Sequence, residues 1–275
     1  MKGVVYTVHR RIHKQPLKLP PHREVQHHIL VIEPNKWHAY YLPKCANYLH
    51  VQLLDKIKKY TEAGWWVPTV THKAMPMLCI PKKNKSLQTA INLRKWNANT
   101  FKDVTPFPDQ DHIRNDVAKA KYRSKIDLTN AYEQILVADK DVKKTVFATV
   151  FGMFYSHVMQ IGDCNAPAMF QTLMTFIFCD YIGRFMHVYL DDMFVLKKLN
   201  NNKFYLQEEK VQLYASELDC LGHMIDGKGI HAAEAKMHIV RDWCMPRSYN
   251  DVQRFLRLVQ YTYQKWPITL VHLQQ

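Results

Sequence analysis

Two adjacent aspartates, Asp191 and Asp192, stand between two short apolar runs, Phe185-Met-His-Val-Tyr-Leu190 and Met193-Phe-Val-Leu196. Runs of that length on either side of a polar break read as the strands of a hairpin, with both carboxylates at its tip. Adjacent carboxylates repel, and apolar strands partly desolvate them. Such a pair is most easily kept where a divalent cation faces it. Hard oxygen donors suit Mg²⁺, which takes one or two carboxylates and completes its shell with substrate phosphates. A third carboxylate, Asp127, ends the run Arg123-Ser-Lys-Ile-Asp127. If that run joins the same sheet, the three converge as in a two-metal site, with one ion at an attacking oxygen and one at a leaving oxygen. For an Asp-Asp pair taken alone, a surface β-turn is the simpler alternative, so the rest of the chain must decide.

Composition narrows the classes. With 275 residues, 47% of them apolar and 12% aromatic, the chain can bury a sizeable core as one large domain or two to three packed subdomains. Its net charge of +14, histidines neutral, favours a polyanionic partner. Cys45, Cys79, Cys164, Cys179, Cys220 and Cys244 form no C-x-x-C pair, which argues against a zinc ribbon or a disulfide framework and for free thiols in a reducing compartment. No apolar run reaches membrane-spanning length and the first residues lack a signal-peptide core, so the expectation is a soluble intracellular protein. The eight glycines form neither a P-loop nor a Rossmann fingerprint.

Along the chain, residues 1–44 are rich in His, Lys, Arg and Pro and read as a solvated, partly extended lead-in. His9 with His13 and His27 with His28 offer metal-ligand spacing there, but no acidic or cysteine ligand joins them. From Asn47, Leu49, Leu53, Leu54, Ile57 and Tyr60 recur at helical spacing until Gly64. Met77–Ile80 and Leu87–Leu93 suggest a hairpin with Lys82, Lys83 and Lys85 at its tip. A short helix over Asp109–Ala120 and a strand over Tyr122–Leu128 follow, then a hairpin of Val146–Phe151 and Phe154–Met159 turning at Gly152. A helix is expected over Ala166–Ile182, another hairpin from Leu218–Ile225 with Gly227-Lys-Gly229, and a helical tail after Ala232 with Phe255, Leu256, Val259 and Tyr263 on one side. Mixed elements with antiparallel hairpins dominant indicate an α+β fold.

At this point several segments together resemble the reverse transcriptases of Gypsy-type long-terminal-repeat retrotransposons. They are Gly64-Trp-Trp-Val-Pro68, Ile80-Pro-Lys-Lys83, Ser124-Lys-Ile-Asp-Leu-Thr-Asn-Ala-Tyr-Glu-Gln-Ile135, Asn165-Ala-Pro-Ala-Met-Phe-Gln171, Val188-Tyr-Leu-Asp-Asp192 and Leu221-Gly-His223, in the family's order. The resemblance implies a right-hand polymerase: lead-in over 1–44, fingers and an antiparallel palm over 45–228, and the start of a truncated thumb over 229–275. Asp127, Asp191 and Asp192 would be catalytic and hold two Mg²⁺ (or Mn²⁺) ions. Tyr132 would be the gate that excludes a 2′-hydroxyl, with Lys82, Gln88 and Gly162 at the incoming deoxynucleoside triphosphate. Arg94, Asn165, Pro167 and Tyr189 would meet an RNA or DNA template and its primer, and Leu221, Gly222 and His223 would form part of the primer grip. The implied setting is the cytoplasm, nucleus or a virus-like particle, within a longer polyprotein. The resemblance implies no membrane partner and leaves the oligomeric state open.

The chain departs from the family pattern at specific positions. Gln88 stands where an arginine is usual, Asn92 replaces an aspartate, Gln160-Ile161 replaces Pro-Phe, and Arg257 replaces a glycine. Only Met193 to Lys203 joins the Asp-Asp hairpin to Phe204-Tyr-Leu206, where the family has a helix of several turns. No ribonuclease H, protease or integrase pattern is present. These departures point to a weakened or decayed copy, with a non-catalytic nucleic-acid-binding remnant as the alternative.

Overall fold

The computed structural model of the chain describes residues 18–36, 42–82, 85–128, 131–196, 212–232 and 234–263. The elements in chain order are α1 (His50–Glu62), β1 (Trp66–Thr69), β2 (Met75–Pro81), β3 (Leu87–Ile91), α2 (Arg94–Asn97), α3 (Gln110–Lys119), β4 (Ser124–Asp127), β5 (Phe147–Thr149), β6 (Gly152–Ser156), α4 (Ala166–Phe178), β7 (Met186–Tyr189), β8 (Asp192–Val195), β9 (Leu218–Cys220), β10 (His223–Asp226), β11 (Gly229–Ala232), α5 (Glu234–Arg241) and α6 (Tyr249–Tyr263). The described residues fall into two units: one up to Pro108 with Asp127–Met193, the other Asp109–Ile126 with those from Phe194 onward. No described helix is long and apolar enough to cross a membrane.

In the first unit a five-stranded sheet runs in the order β1-β6-β5-β2-β3. Its neighbours are antiparallel except β2 and β5, where Met75 lies opposite Phe147 in parallel. Helix α1 buries Leu53 and Tyr60 against Trp66, Met77, Phe147 and Phe154 of this sheet. The Trp66 ring meets Tyr60 at 4.6 Å and Phe147 at 4.9 Å edge-on, the arrangement the ring quadrupoles favour. Each fully buried side chain of this size contributes about 1.5–3 kcal/mol. Leu54, placed with the apolar face by its spacing, is 47% exposed, because the stripe through Leu53, Ile57 and Tyr60 leaves it to one side. The helix stops where expected: Gly64 adopts φ +74°, and the amides of Gly64 and Trp65 donate to Thr61 O and Tyr60 O.

The β2–β3 hairpin forms as its sequence suggests, with Pro81 opposite Leu87, and Lys82 and Lys85 exposed at its end. Lys83 lies outside the described residues. The β5–β6 hairpin turns at Val150-Phe151, so Gly152 begins the returning strand instead of making the turn. Helix α4 ends at Phe178, a turn earlier than its apolar pattern implied. The lead-in also differs from expectation. Ile29 is 3% exposed and packs on Val137 and Val142, while His27 pairs with Val137 through a parallel bridge. Ile29 and Val31 thus pack on the body of the unit, while Leu19, Leu30 and Ile32 stay exposed. His27 meets Asp163 and His28 meets Asp141, so the two imidazoles face different carboxylates; His9 and His13 lie outside the described residues.

A second sheet has the order β4-β8-β7, and the chain passes from one unit to the other within β4 and within β8. The second unit has a three-stranded antiparallel sheet, β11-β10-β9, with α3 packed on β10 and β11. Asp109 caps α3 by accepting from Asp111 N at 2.9 Å. The helical tail is two helices instead of one, interrupted at residues 242–248, where Pro246 cannot donate to a helix ladder. Phe255 and Val259 are half-buried on α6, and Leu256 is exposed. The expected shortening after the Asp-Asp hairpin falls on residues 197–211, outside the described residues.

Candidate catalytic site

Strands β7 and β8 are joined by two residues, Leu190 and Asp191. Two-residue hairpins favour turns with φ > 0 at the first central position, and Leu190 takes φ +51°. A residue with a Cβ held there costs about 1–2 kcal/mol. Something must hold the turn, and Gln171 of α4 does so. Gln171 is 2% exposed; its Nε2 donates to Val188 O at 3.2 Å, and its Oε1 accepts from Leu190 N at 3.0 Å. Met186, Val188, Met193 and Phe194 bury the strands beneath, leaving Asp191 and Asp192 half-buried at the tip.

The Leu128 amide donates to Asp191 O at 3.4 Å. Asp127 immediately precedes Leu128 and ends β4, so the backbones that carry all three carboxylates meet at this tip. Tyr132 follows in the 3-10 turn Tyr132–Gln134, its ring edge-on to Phe170 of α4 at 5.6 Å. Burial, and then the negative charge of Asp191, push the Tyr132 hydroxyl above its usual range. The next residue, Glu133, points into the sheet core and anchors the turn. Tyr60 Oη donates to Glu133 Oε2 at 3.0 Å, and Lys56 Nζ lies 4.8 Å from the centre of the Tyr60 ring. Burial pushes the Glu133 carboxyl up, against the opposing pull of Lys56 and Tyr60. Tyr189, at the end of β7, is half-buried with its ring 6.2 Å from Phe107.

A loop leading into α4 carries Gly162 and Asn165. Gly162 has φ +113°, and a Cβ there would sit 2.6 Å from Ile91 O, so only glycine fits. Asn97 of α2 holds the loop with both ends of its amide: Nδ2 donates to Gly162 O at 2.8 Å and Oδ1 accepts from Cys164 N at 3.2 Å. Asn165 Nδ2 donates to Phe101 O at 2.8 Å, and its Oδ1 accepts from Asp103 N at 3.0 Å. Pro167 lies in the first turn of α4, where a missing N–H costs nothing. Gln160, a departure from the family pattern, is buried and donates to Thr145 O at 2.9 Å.

Lys82 and Gln88 are exposed on the β2–β3 hairpin, Gln88 opposite Ile80. Exposed Arg94 opens α2, and its Nε donates to Asn92 Oδ1 at 3.0 Å, so the asparagine at this position still orients the arginine. Leu221 and Gly222 form the β9–β10 turn of the second unit at φ +50° and +75°, with His223 beginning β10. These angles are those of a type I′ turn.

Residues 72–198 match the family model described as reverse transcriptase (RNA-dependent DNA polymerase). This segment is similar to reverse transcriptase domains. The chain is 28% identical over 211 residues to a retrovirus-related Pol polyprotein from transposon opus of Drosophila melanogaster, covering 70% of this chain and 21% of that protein. To the Pol polyprotein from transposon gypsy of the same organism it is 25% identical over 228 residues, covering 75% and 22%. The Tf2-3 transposon polyprotein of Schizosaccharomyces pombe is 24% identical over 222 residues, covering 75% and 17%. The chain thus spans about a fifth of the length of the curated relatives it matches. These relatives bear out the resemblance to retrotransposon reverse transcriptases. Among solved structures, the foamy viral protease-reverse transcriptase in complex with RNA/DNA hybrid aligns with TM-score 0.76 at 15% identity, covering 94% of this chain and 37% of that one. The same protein's dRH form with double-stranded DNA gives 0.71 at 18%, covering 89% and 44%. That likeness bears out the α+β polymerase fold.

Within the matched residues 72–198, sequence reasoning missed the residues that hold the site without lining it. Gln171 is the one strongly polar side chain buried on an otherwise apolar helix, and that mismatch was the available signal. Asn97 and Phe107 carried no such signal, since their partners lie far along the chain.

Proposed function

We propose that the chain is an RNA-directed DNA polymerase, adding deoxynucleotides to a primer 3′-end on an RNA or DNA template. The observation that carries this reading is the clamped β7–β8 tip, where Leu128 N donates to Asp191 O and draws the end of β4 to the aspartate pair. The donor set fits hard divalent cations: two adjacent half-buried carboxylates on a rigid turn, and a third residue of the same type ending the neighbouring strand. Asp127, Asp191 and Asp192 would hold two Mg²⁺ (or Mn²⁺) ions. When bound, such ions lower the charge on the reacting oxygens and stabilise the leaving pyrophosphate.

Tyr132 excludes a 2′-hydroxyl in this reading, supported by its packing on Phe170 just after the end of β4. Gly162 lets a base approach the backbone closely, and Lys82 offers a charge to the triphosphate while Gln88 offers only hydrogen bonds. Arg94, Asn165, Pro167 and Tyr189 bear on template and primer, and Leu221, Gly222 and His223 on the primer 3′-end. Residues 45–228 act as fingers and palm, 1–44 as a lead-in, and 229–275 as the start of a thumb. The reading places the protein inside the cell.

The test is primer extension on an RNA template with Mg²⁺, beside Asp191→Asn/Asp192→Asn. Extension abolished in the double variant is the expected result. Folded protein that binds primer–template but never extends it would mean a nucleic-acid-binding remnant.

A further inference from the structure

The loop Gln160–Asn165 is shaped by side chains reaching in from elsewhere, and Asp163 is at its centre, 8% exposed. Its Oδ1 accepts from Asn165 N at 2.8 Å. Its Oδ2 lies 3.1 Å from Nε2 of His27, which is 2% exposed. The backbone of His27 is pinned on both sides: its N–H donates to Leu136 O, and its carbonyl accepts from Ala138 N, each at 2.9 Å. With Asp163 accepting, the imidazole carries a proton on Nε2 and donates it. Nδ1 has no hydrogen-bond partner among the described residues, so Asp163 alone sets the ring's polar register. A charge-assisted contact between two buried groups is strong, and removing one partner leaves the other's charge uncompensated.

We propose that His27 is a positioning residue of the polymerase site: through Asp163 it fixes the Asn165 backbone, and with it the loop facing nucleotide and template. The proposal rests on the polymerase reading above. His27 lies outside the matched segment 72–198, so upstream chain becomes part of the site that this segment builds. Asn97 grips the same loop independently, at Gly162 and Cys164. Loss of His27 therefore loosens the loop without unfolding it, and the defect falls on nucleotide binding more than on the chemical step.

The experiment uses the full chain with His27→Leu, Asp163→Leu and His27→Gln, the last able to donate an amide hydrogen where the imidazole does. Hydrogen exchange is measured at the amides of residues 162–166, with α1 as internal reference. Loss of one charge-assisted hydrogen bond should speed exchange there roughly tenfold or more in both leucine variants, leave α1 unchanged, and be partly reversed in His27→Gln. In primer extension the KM for deoxynucleotide should rise by a similar factor, roughly tenfold, while kcat stays nearly constant. Unchanged exchange at 162–166 in His27→Leu overturns the proposal. So does a rise that spreads to α1, or a fall in kcat at constant KM. If the wild-type chain extends no primer, the polymerase reading fails on that result, and the exchange data still decide whether His27 holds the loop.

Discussion

Gln171 and Leu190 show how one residue's strain is met by another's hydrogen bonds. Leu190 occupies a backbone region that a Cβ disfavours, and Gln171 holds its amide together with Val188 O. Replacing Gln171 by leucine keeps the bulk but leaves a buried acceptor and a partly buried donor unpaired. The expected loss is about 2–6 kcal/mol, from roughly 1–3 kcal/mol for each unsatisfied group, measured by urea unfolding. A loss under half a kcal/mol would show that the turn does not depend on the clamp. Tyr132, the proposed gate, is tested at the same scale. Tyr132→Ala should admit ribonucleotides, raising their incorporation relative to deoxynucleotides by about tenfold or more if the ring is a steric wall. Unchanged discrimination in competitive extension would remove Tyr132 from that role. The positions of Asp191, Asp192 and Tyr132 were legible from motif and spacing. Gln171 was visible only as a polar residue on an apolar face, because its partners depend on where α4 lies.

Among the elements, hairpins were the most legible, because period and turn residues are local properties. The β2–β3 and β9–β10 hairpins and the helix stop at Gly64 fall where the sequence places them. Element ends and environments were less legible: α4 stops a turn early, the tail breaks near Pro246, and the lead-in buries Ile29. The lead-in is held partly by Asp141, 1% exposed in the 3-10 turn Asp139–Thr145, which accepts from Ile29 N at 3.2 Å and pairs with Lys144. Burial pushes this carboxyl up, but Lys144, the Ile29 amide and His28 outweigh it and hold it below the ordinary value. A folded-state pKa below the unfolded one means that the stabilisation is fully present above the ordinary carboxylate value of 3.8. It is lost as pH falls through the folded value. Asp141→Asn should therefore lose about 1–3 kcal/mol at neutral pH, and its deficit against wild type should shrink in acid. Urea melts from pH 7 down to pH 3 check this, and a deficit that does not change with pH contradicts it.

At the scale of the molecule, the +14 charge predicts binding to primer–template that weakens steeply with salt. The logarithm of the binding constant should fall linearly with the logarithm of salt concentration, by about 0.9 for each duplex phosphate contacted. Lys82→Ala, at the exposed end of the β2–β3 hairpin, should lower that slope by about one if the lysine meets a phosphate. A fluorescence-anisotropy titration across several salt concentrations reads both quantities, and an unchanged slope would leave Lys82 a solvated charge. By itself the sequence determined the class of fold, the acidic hairpin and the family resemblance, since strand period, turn chemistry and motif order are written in neighbouring residues. Only the tertiary structure decided what holds the site in place. Gln171 reaches Val188 and Leu190, Asn97 reaches Gly162 and Cys164, and His27 reaches Asp163 across 136 positions of chain. Partners that far apart leave no local pattern, because a buried polar group is satisfied by whatever the fold brings within hydrogen-bonding distance, not by what stands next to it in the chain.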